Sequence, residues 1–196
     1  GRTFQESMQK ALRSLETDLC GFDDMALPGV DEAVDETARK QAVRAALAIP
    51  SPDRLLVIAQ AFREGLSVEE VRAVSLYEPW FLRQIDEIVL VAVDISTLGL
   101  PTDAAAFRAL KAMGFSDARL AQLTKQEEAA VRRARRALGV RPVFKRVDTC
   151  APEFASPTPY ISCCYETPAY AGSDVSAPEP PRRKKASRPR GGPTRT

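Results

Sequence analysis

Residues that could carry chemistry are few in this sequence, and their types exclude several reaction classes. The chain has 196 residues and no histidine, which excludes imidazole catalysis and metal sites with histidine ligands. Its cysteines are Cys20, Cys150, Cys163 and Cys164, without a C-x-x-C pair. This spacing favours reduced thiols, because an all-cysteine zinc site, the less favoured alternative, needs four converging thiolates.

An acidic segment near the N-terminus could bind a divalent cation. Its members are Asp23, Asp24, Asp31, Glu32, Asp35 and Glu36. The segment lacks the alternating ligands and the central glycine of an EF-hand loop. We therefore interpret it as a solvated loop that leads into a helix.

Two basic segments could bind nucleic acid. The first consists of Arg132, Arg133, Arg135 and Arg136. Glu127 and Glu128 are closer partners for it at helical spacing, and positive charge suits a helix C-terminus, so a solvated face is favoured. The second is the tail 182–196, which holds seven of the 28 Lys and Arg residues and no acid. This tail could bind anionic polymers through counterion release, or it could be a disordered end that adds little stability.

Catalytic motifs are missing from the helical part of the sequence. It has no Gly-rich phosphate loop after a strand, no HExxH and no nucleophile elbow. The turn between helices predicted at 68–75 and 79–97 imitates a helix-turn-helix, but the second helix begins with apolar Trp80 and Phe81, which are expected in a core. We predict no catalytic, cofactor-binding or metal-binding residue in this chain.

The distribution of proline divides the chain into a helical body and an extended end. Five of the 15 prolines lie in residues 1–141 and ten in residues 142–196, a density incompatible with continued helix. The predicted fold class is all-α, a compact domain of about eight helices followed by an extended, Pro-rich C-terminal segment. The helices are predicted at about 4–19, 35–48, 52–64, 68–75, 79–97, 103–113 and 117–123, with a last one after Thr124 ending at Leu138.

Cap residues predict where these helices begin. They are Thr3 with Glu6, Ser51 with Pro52, Ser67 with Glu70, Thr102, Ser116, and Thr124 with Glu127. The helix at 79–97 is apolar around more than one face and should be the hub, with Trp80 and Phe81 packed against the helix at 68–75. No apolar run approaches the roughly 20 residues of a membrane helix, which excludes a transmembrane role. The reduced thiols lead us to expect a cytoplasmic protein.

Five stretches of the sequence, taken together, are similar to one known family. They are Gly1–Thr3 with Glu6, Ser7 and Gln9–Arg13; Ala61–Val68; Trp80–Leu82 with Gln84 and Ile85; Lys111–Ala121; and Pro142–Ala151 with Glu153–Ala155 and Tyr165–Thr167. In this set the chain resembles the large chain of carbamoyl phosphate synthetase, specifically the helical oligomerisation, or connection, domain between its two ATP-grasp halves.

The resemblance implies a division of the chain into four parts. Residues 1–21 would be the closing helix of the first synthetase half, and residues 22–141 the oligomerisation domain. Residues 142–170 would be the extended connector toward the second half. Residues 171–196 would be a disordered basic tail, a degenerate start of that half, because prolines and charges replace its first strand and glycine-rich segment. A truncated or frame-disturbed gene would account for this departure, and for Cys163 and Cys164 at positions where the family has hydroxyl residues.

The resemblance also implies a function for the parent protein. The complete family member binds ATP with Mg²⁺ and makes carbamoyl phosphate from bicarbonate, glutamine-derived ammonia and two ATP, for arginine and pyrimidine synthesis. Its partners would be a second copy, the flanking synthetase halves and a glutamine amidotransferase small chain. None of the catalytic residues has a matching position here, so this chain would be a non-catalytic connector of a ligase. The alternative is an independent helical adaptor with a basic nucleic-acid-binding tail.

Overall fold

Helices dominate the computed structural model, which describes residues 1–30, 32–147 and 160–167. These residues form eight helices and a two-stranded antiparallel sheet. The helices are α1 (Phe4–Arg13), α2 (Glu36–Ala48), α3 (Arg54–Arg63), α4 (Val68–Ser75), α5 (Pro79–Leu98), α6 (Ala104–Ala112), α7 (Asp117–Thr124) and α8 (Glu128–Ala137). The strands are β1 (Val143–Val147) and β2 (Tyr160–Cys164). The predicted all-α class with eight helices is confirmed.

Side-chain caps fix several helix starts at the predicted residues. The Thr3 hydroxyl accepts a hydrogen bond from the Glu6 N–H at 3.2 Å. Ser67 and Glu70 form the full reciprocal capping box at the start of α4. Ser116 accepts from the Arg119 N–H at 2.9 Å. These bonds satisfy N–H groups that a helix leaves unpaired in its first turn, which is why the local pattern is informative.

Four predicted helix limits are wrong, because the residues that the sequence suggests as helix ends or caps are not the ones that the structure uses. α1 ends at Arg13 rather than 19, since Glu16 and Asp18 adopt positive φ. α3 begins at Arg54, because residues 51–53 form a turn instead of a Ser51 cap. At α6 the cap is Asp103 rather than Thr102. Thr124 closes α7 by donating to the Leu120 carbonyl, and Glu127, without a side-chain cap, precedes α8.

The long helix α5 is the hub of the core, as its apolar pattern predicts. It contacts α1, α3, α4 and α7. Its buried residues are Leu82, Ile85, Ile88, Val89, Ala92 and Ile95. A helix buried along more than one stripe must have neighbours on several sides, and α5 has them.

The first turn of α5 departs from the prediction. Trp80 and Phe81 are 46% and 43% exposed, so their predicted place in the core is wrong. Both rings contact Phe4 of α1. The buried face of α5 starts at Leu82 and continues at Ile85 and Ile88, so the two aromatic residues before it lie beside that face.

The hairpin supplies the extended part of the structure. Strands β1 and β2 are antiparallel, with Val143 opposite Cys164 and Val147 opposite Tyr160. Successive side chains of a strand alternate between its faces, and Cys164 is accordingly buried while Cys163 is half-buried. The two strands agree with an extended connector after residue 142, whereas the division of the chain at 21, 141 and 170 stays a prediction. The tail 182–196 lies outside the described residues.

Candidate functional site

Two arginines hold the acidic loop that follows α1. Arg63 and Arg119 both donate to the Phe22 carbonyl, Arg119 at 2.9 Å. Arg119 lies 3.1 Å from Asp23, and Arg63 lies 3.0 Å from Asp24. These two carboxylates are therefore used in ion pairs that anchor the loop to α3 and α7.

The rest of the acidic segment has ordinary structural roles. Asp35 caps α2 by accepting from the Ala38 N–H at 2.7 Å, and Glu36 pairs with Lys40 at 2.9 Å. Glu32 is exposed, and Asp31 lies outside the described residues. Among the described residues, no group of three or more Asp, Glu or Cys side chains is arranged to hold a metal ion.

A charge cluster, made of Lys111, Asp117, Arg135 and Tyr165, lies where α6, α7, α8 and the end of the hairpin meet. Arg135 donates to both carboxylate oxygens of Asp117, at 2.9 and 3.1 Å. Lys111 donates to Asp117 at 2.8 Å and to the Phe115 carbonyl at 2.6 Å. Both cations stand over the Tyr165 ring, at 5.4 Å for Lys111 and 5.7 Å for Arg135. One carboxylate and one ring thus hold two buried cations.

The protonation equilibria of the charge cluster follow from burial and pairing. Burial lowers the pKa of Lys111, and Asp117 offsets only part of that effect. Burial alone would raise the pKa of Asp117, but hydrogen bonds from Arg135 and Lys111 outweigh it and lower that pKa. Burial raises the pKa of Tyr165 to about 12. At neutral pH the Asp117 carboxylate is therefore ionised and the Tyr165 phenol is neutral.

Helix α1 is seated on the turn between α6 and α7. Gln9 donates to the Met113 carbonyl at 2.9 Å, and Arg13 donates to the Gly114 carbonyl at 2.7 Å. Gly114 has φ +98°, and a Cβ there would stand 2.9 Å from the Glu6 Cα. The close approach of the two backbones therefore depends on glycine at this position.

A second set of contacts, the terminal clasp, joins α1 to the hairpin. Its members are Arg2, Lys10, Glu166 and the Cys163 carbonyl. Arg2 pairs with Glu166 at 2.8 Å, and Lys10 donates to the Cys163 carbonyl. Lys145 of β1 lies 3.9 Å from the same Glu166. The clasp brings residue 2 beside residue 166, although 164 positions separate them.

Two of the described cysteines, Cys20 and Cys164, are held as neutral thiols. Cys20, Cys163 and Cys164 carry free thiols, and Cys150 lies outside the described residues. Burial raises the pKa of Cys20 and of Cys164, so these two are held as neutral thiols at neutral pH. The contacts described so far connect parts of the fold.

Comparison with known proteins gives this architecture a family. Residues 1–139 match the family model described as the carbamoyl-phosphate synthetase large chain, oligomerisation domain. The chain belongs to this family. Over its whole length it is 55% identical to the carbamoyl phosphate synthase large chain of Brucella melitensis, 49% to that of Mesorhizobium japonicum and 51% to that of Rhizobium meliloti. The chain spans about a sixth of the length of these curated relatives, 16–17% of each.

The basic helix of this oligomerisation domain is only partly the solvated face that its sequence predicts. Arg132 pairs with Glu128 as expected, and Arg133 and Arg136 are exposed. Arg135 instead is buried and bound to Asp117. A continuous basic stripe on α8 is therefore interrupted. The alternative of an independent adaptor with a basic tail is not favoured, because the chain matches the oligomerisation domain family.

Sequence reasoning missed the charge cluster and the terminal clasp of this family member. The sequence does carry a spacing signal for Arg135, because this residue follows Val131 by four positions and precedes Leu138 by three. Arg135 therefore lies on the buried face of α8. Lys111 and Asp117 lie within a stretch that carries the family resemblance, but the sequence pattern predicts only that both residues belong to helices. For Arg2 and Glu166 no local signal exists.

Among the described residues, no helix combines the length and the apolar character needed to cross a bilayer.

Proposed function

We propose that this chain is the non-catalytic self-association and connector region of a carbamoyl phosphate synthetase large chain. The match of residues 1–139 to the oligomerisation domain family carries the proposal. All eight helices of the described residues fall within that match. The contacts of the charge cluster and of the terminal clasp support a connecting role, because they fix the hairpin and α1 to one helical body.

The chemistry belongs to the complete protein. It would make carbamoyl phosphate from bicarbonate, glutamine-derived ammonia and two ATP, in the cytoplasm, for arginine and pyrimidine synthesis. ATP and Mg²⁺ would bind in the synthetase halves, and a glutamine amidotransferase small chain would supply the ammonia. The relatives' name, carbamoyl phosphate synthase large chain, supports this assignment. In this chain residues 1–21, 22–141 and 142–170 would be the end of one half, the oligomerisation domain and the connector to the other half.

Equilibrium sedimentation of the purified chain tests self-association. The weight-average mass should rise above 21.4 kDa as the protein concentration increases. A strict monomer at the highest concentration reached would contradict the proposal. An assay of the same preparation for bicarbonate-dependent ATP hydrolysis should show no turnover; turnover that a substitution in this chain removes would contradict the non-catalytic role.

A further inference from the structure

The middle of α5 carries apolar side chains that the described residues leave uncovered. Leu90 is 57% exposed and Val93 is 47% exposed. They are three positions apart, so they are neighbours on the helix surface. One exposed leucine is ordinary on a soluble protein, whereas adjacent apolar side chains on an exposed helix face offer a surface to a partner.

Two opposite charges lie on the same exposed face of α5. Arg83 precedes Leu90 by seven positions and Asp94 follows it by four, spacings that bring residues to one side of a helix. Both charged residues are exposed. Neither side chain forms an ion pair or a hydrogen bond with another residue in the part of the chain that the structure describes. Each charge is therefore available to a group outside the chain.

An antiparallel pair of α5 helices would bring these charges together. In a two-fold symmetric pair, residues at equal distances on opposite sides of the axis face each other. With the axis between Ile88 and Val89, Arg83 of each copy faces Asp94 of the other. Leu90 then lies about 2 Å from the axis along the helix, beside its symmetry mate. A parallel pair would instead set like charges side by side, which is unfavourable.

The surroundings of Leu90 favour a second copy over other occupants. The face is self-complementary in charge, which is the condition for a two-fold contact between identical chains. Glu87, on the edge of the same face, accepts a hydrogen bond from Gln5 at 2.8 Å and so has a partner within the chain. Together with Asp94 it makes the face unsuited to a nucleic acid or an anionic membrane.

We propose that this face of α5, made of Arg83, Leu90, Val93 and Asp94, is a surface through which two copies of the chain associate antiparallel. The inference rests on the proposed function, because it assigns the proposed self-association to particular residues. Leu90 and Val93 supply the apolar contact. The two Arg83–Asp94 pairs set its direction more than its strength, since exposed ion pairs contribute little free energy.

Equilibrium sedimentation of variants of the 196-residue chain tests the apolar contact. Leu90→Gln should raise the dissociation constant of the dimer by about tenfold or more, because both copies would lose apolar contact near the axis. Leu76→Gln is the matched control at an 84% exposed position outside α5, and it should leave the dissociation constant unchanged. Circular dichroism verifies that both variants keep the helix content of the parent chain.

Reversal of the charges tests the direction of the pair. Arg83→Asp alone should weaken the dimer several-fold, because the new carboxylate would face Asp94 of the partner subunit. Adding Asp94→Arg should restore the dissociation constant of the parent chain. The control combines Arg83→Asp with Glu32→Arg, at an exposed turn position. This control has the same net charge as the restored variant, and its dimer should stay weak.

The outcomes separate this surface from the proposed function. If the parent chain associates and Leu90→Gln associates equally well, the surface is wrong and self-association stands. If Asp94→Arg does not rescue Arg83→Asp, the antiparallel arrangement is wrong. A parent chain that stays monomeric at every concentration contradicts the proposed self-association itself, and this surface with it.

Discussion

Asp117 is the single carboxylate that holds two cations of the charge cluster. Its side chain is 9% exposed, and those of Lys111 and Arg135 are 5% and 9% exposed. Removing a charge at such a site leaves its partners buried without compensation, which is more destabilising than the loss of the contact itself. Replacing Asp117 would therefore destabilise the protein mainly because Lys111 and Arg135 would stay buried without a counter-charge.

We predict that Asp117→Asn lowers the free energy of unfolding by about 3–5 kcal/mol, the usual consequence of breaking a buried ion pair. Chemical denaturation at neutral pH measures it. The matched control is Asp94→Asn at an exposed position of α5, which should change stability by no more than about 0.5 kcal/mol. Equal effects of the two substitutions would show that the cluster adds nothing.

The Asp117 carboxylate also predicts how the stability of the protein depends on pH. The pKa of Asp117 is lowered in the folded protein, so the unfolded chain binds the proton more readily. Its contribution is fully present above the ordinary carboxyl pKa of about 4 and is lost as the pH falls through the lower, folded value. The stability difference between the parent chain and Asp117→Asn should accordingly shrink on acidification.

Tyr165 should ionise only at high pH. Burial raises its pKa to about 12, so the folded state keeps the proton longer than the unfolded chain does. Its stabilising contribution is complete below the ordinary value of about 10 and is lost as the pH rises toward 12. Ultraviolet titration of the phenolate should show a late phase that Tyr165→Phe removes and Tyr160→Phe, at a 70% exposed position, retains. If Tyr165→Phe removes no phase near pH 12, this burial of the phenol is contradicted.

At the scale of elements, the contact between α1 and the α6–α7 turn brings two backbones close together at Gly114. We predict that Gly114→Ala destabilises the protein more than Gly65→Ala. Both glycines have positive φ. An alanine at either position must adopt the left-handed backbone conformation, which costs about 1–2 kcal/mol. Of the two variants, only Gly114→Ala would bring the new Cβ against a backbone atom, the Glu6 Cα at 2.9 Å. Overpacking of this kind costs about 1–3 kcal/mol more.

Thermal unfolding of the two glycine variants gives the comparison. Gly65 has nothing within 4 Å of its Cβ position, which makes it the control for strain alone. If both variants lose the same stability, α1 is not packed as closely as the structure shows.

The sequence could predict the elements whose limits depend on neighbouring residues. The Ser67–Glu70 box and the Ser116 cap are interactions across three positions, and both are found where the pattern places them. The end of α1 was not predictable in this way, because Leu15 continues the apolar spacing although it is 61% exposed. Apolar periodicity reports which residues suit a buried helix, and tertiary contacts decide which of them are used.

The candidate site was less predictable than the helices. Asp117 and Arg135 are 18 positions apart, and Arg2 and Glu166 are 164 apart. Helical spacing offered Glu127 and Glu128 as nearer partners for the arginines of α8, and only Arg132 uses one of them. Contacts between distant residues follow from the packing of whole elements, for which a single sequence carries no spacing rule.

At the scale of the whole molecule, α5 has both a buried side and an exposed side. Ile88 is 1% exposed within one chain, whereas Leu90 on the same helix is 57% exposed. The stability of the body therefore depends on the first residue and not on the second. Self-association must use surface that a single chain leaves exposed.

We predict that Ile88→Ala lowers the free energy of unfolding by about 2–5 kcal/mol, as expected for a buried large-to-small change. Leu90→Ala is the control and should have little effect on the unfolding of the monomer. The midpoint of thermal unfolding, measured over a range of protein concentrations, separates the two demands, because only association makes it depend on concentration. A loss for Ile88→Ala that disappears at high concentration would indicate that Ile88 lies in an interface between subunits.

The terminal clasp makes the helical body a candidate for transplantation as a cassette. The side chains of Arg2 and Glu166 meet at 2.8 Å, so a bridge of roughly four extended residues, at about 3.5 Å each, could join their backbones. Closing so short a gap costs little chain entropy, and closely spaced ends of a folded body favour circular permutation and domain insertion. The body could therefore be opened at another loop, or placed within a surface loop of an unrelated host protein, without separating α1 from the hairpin.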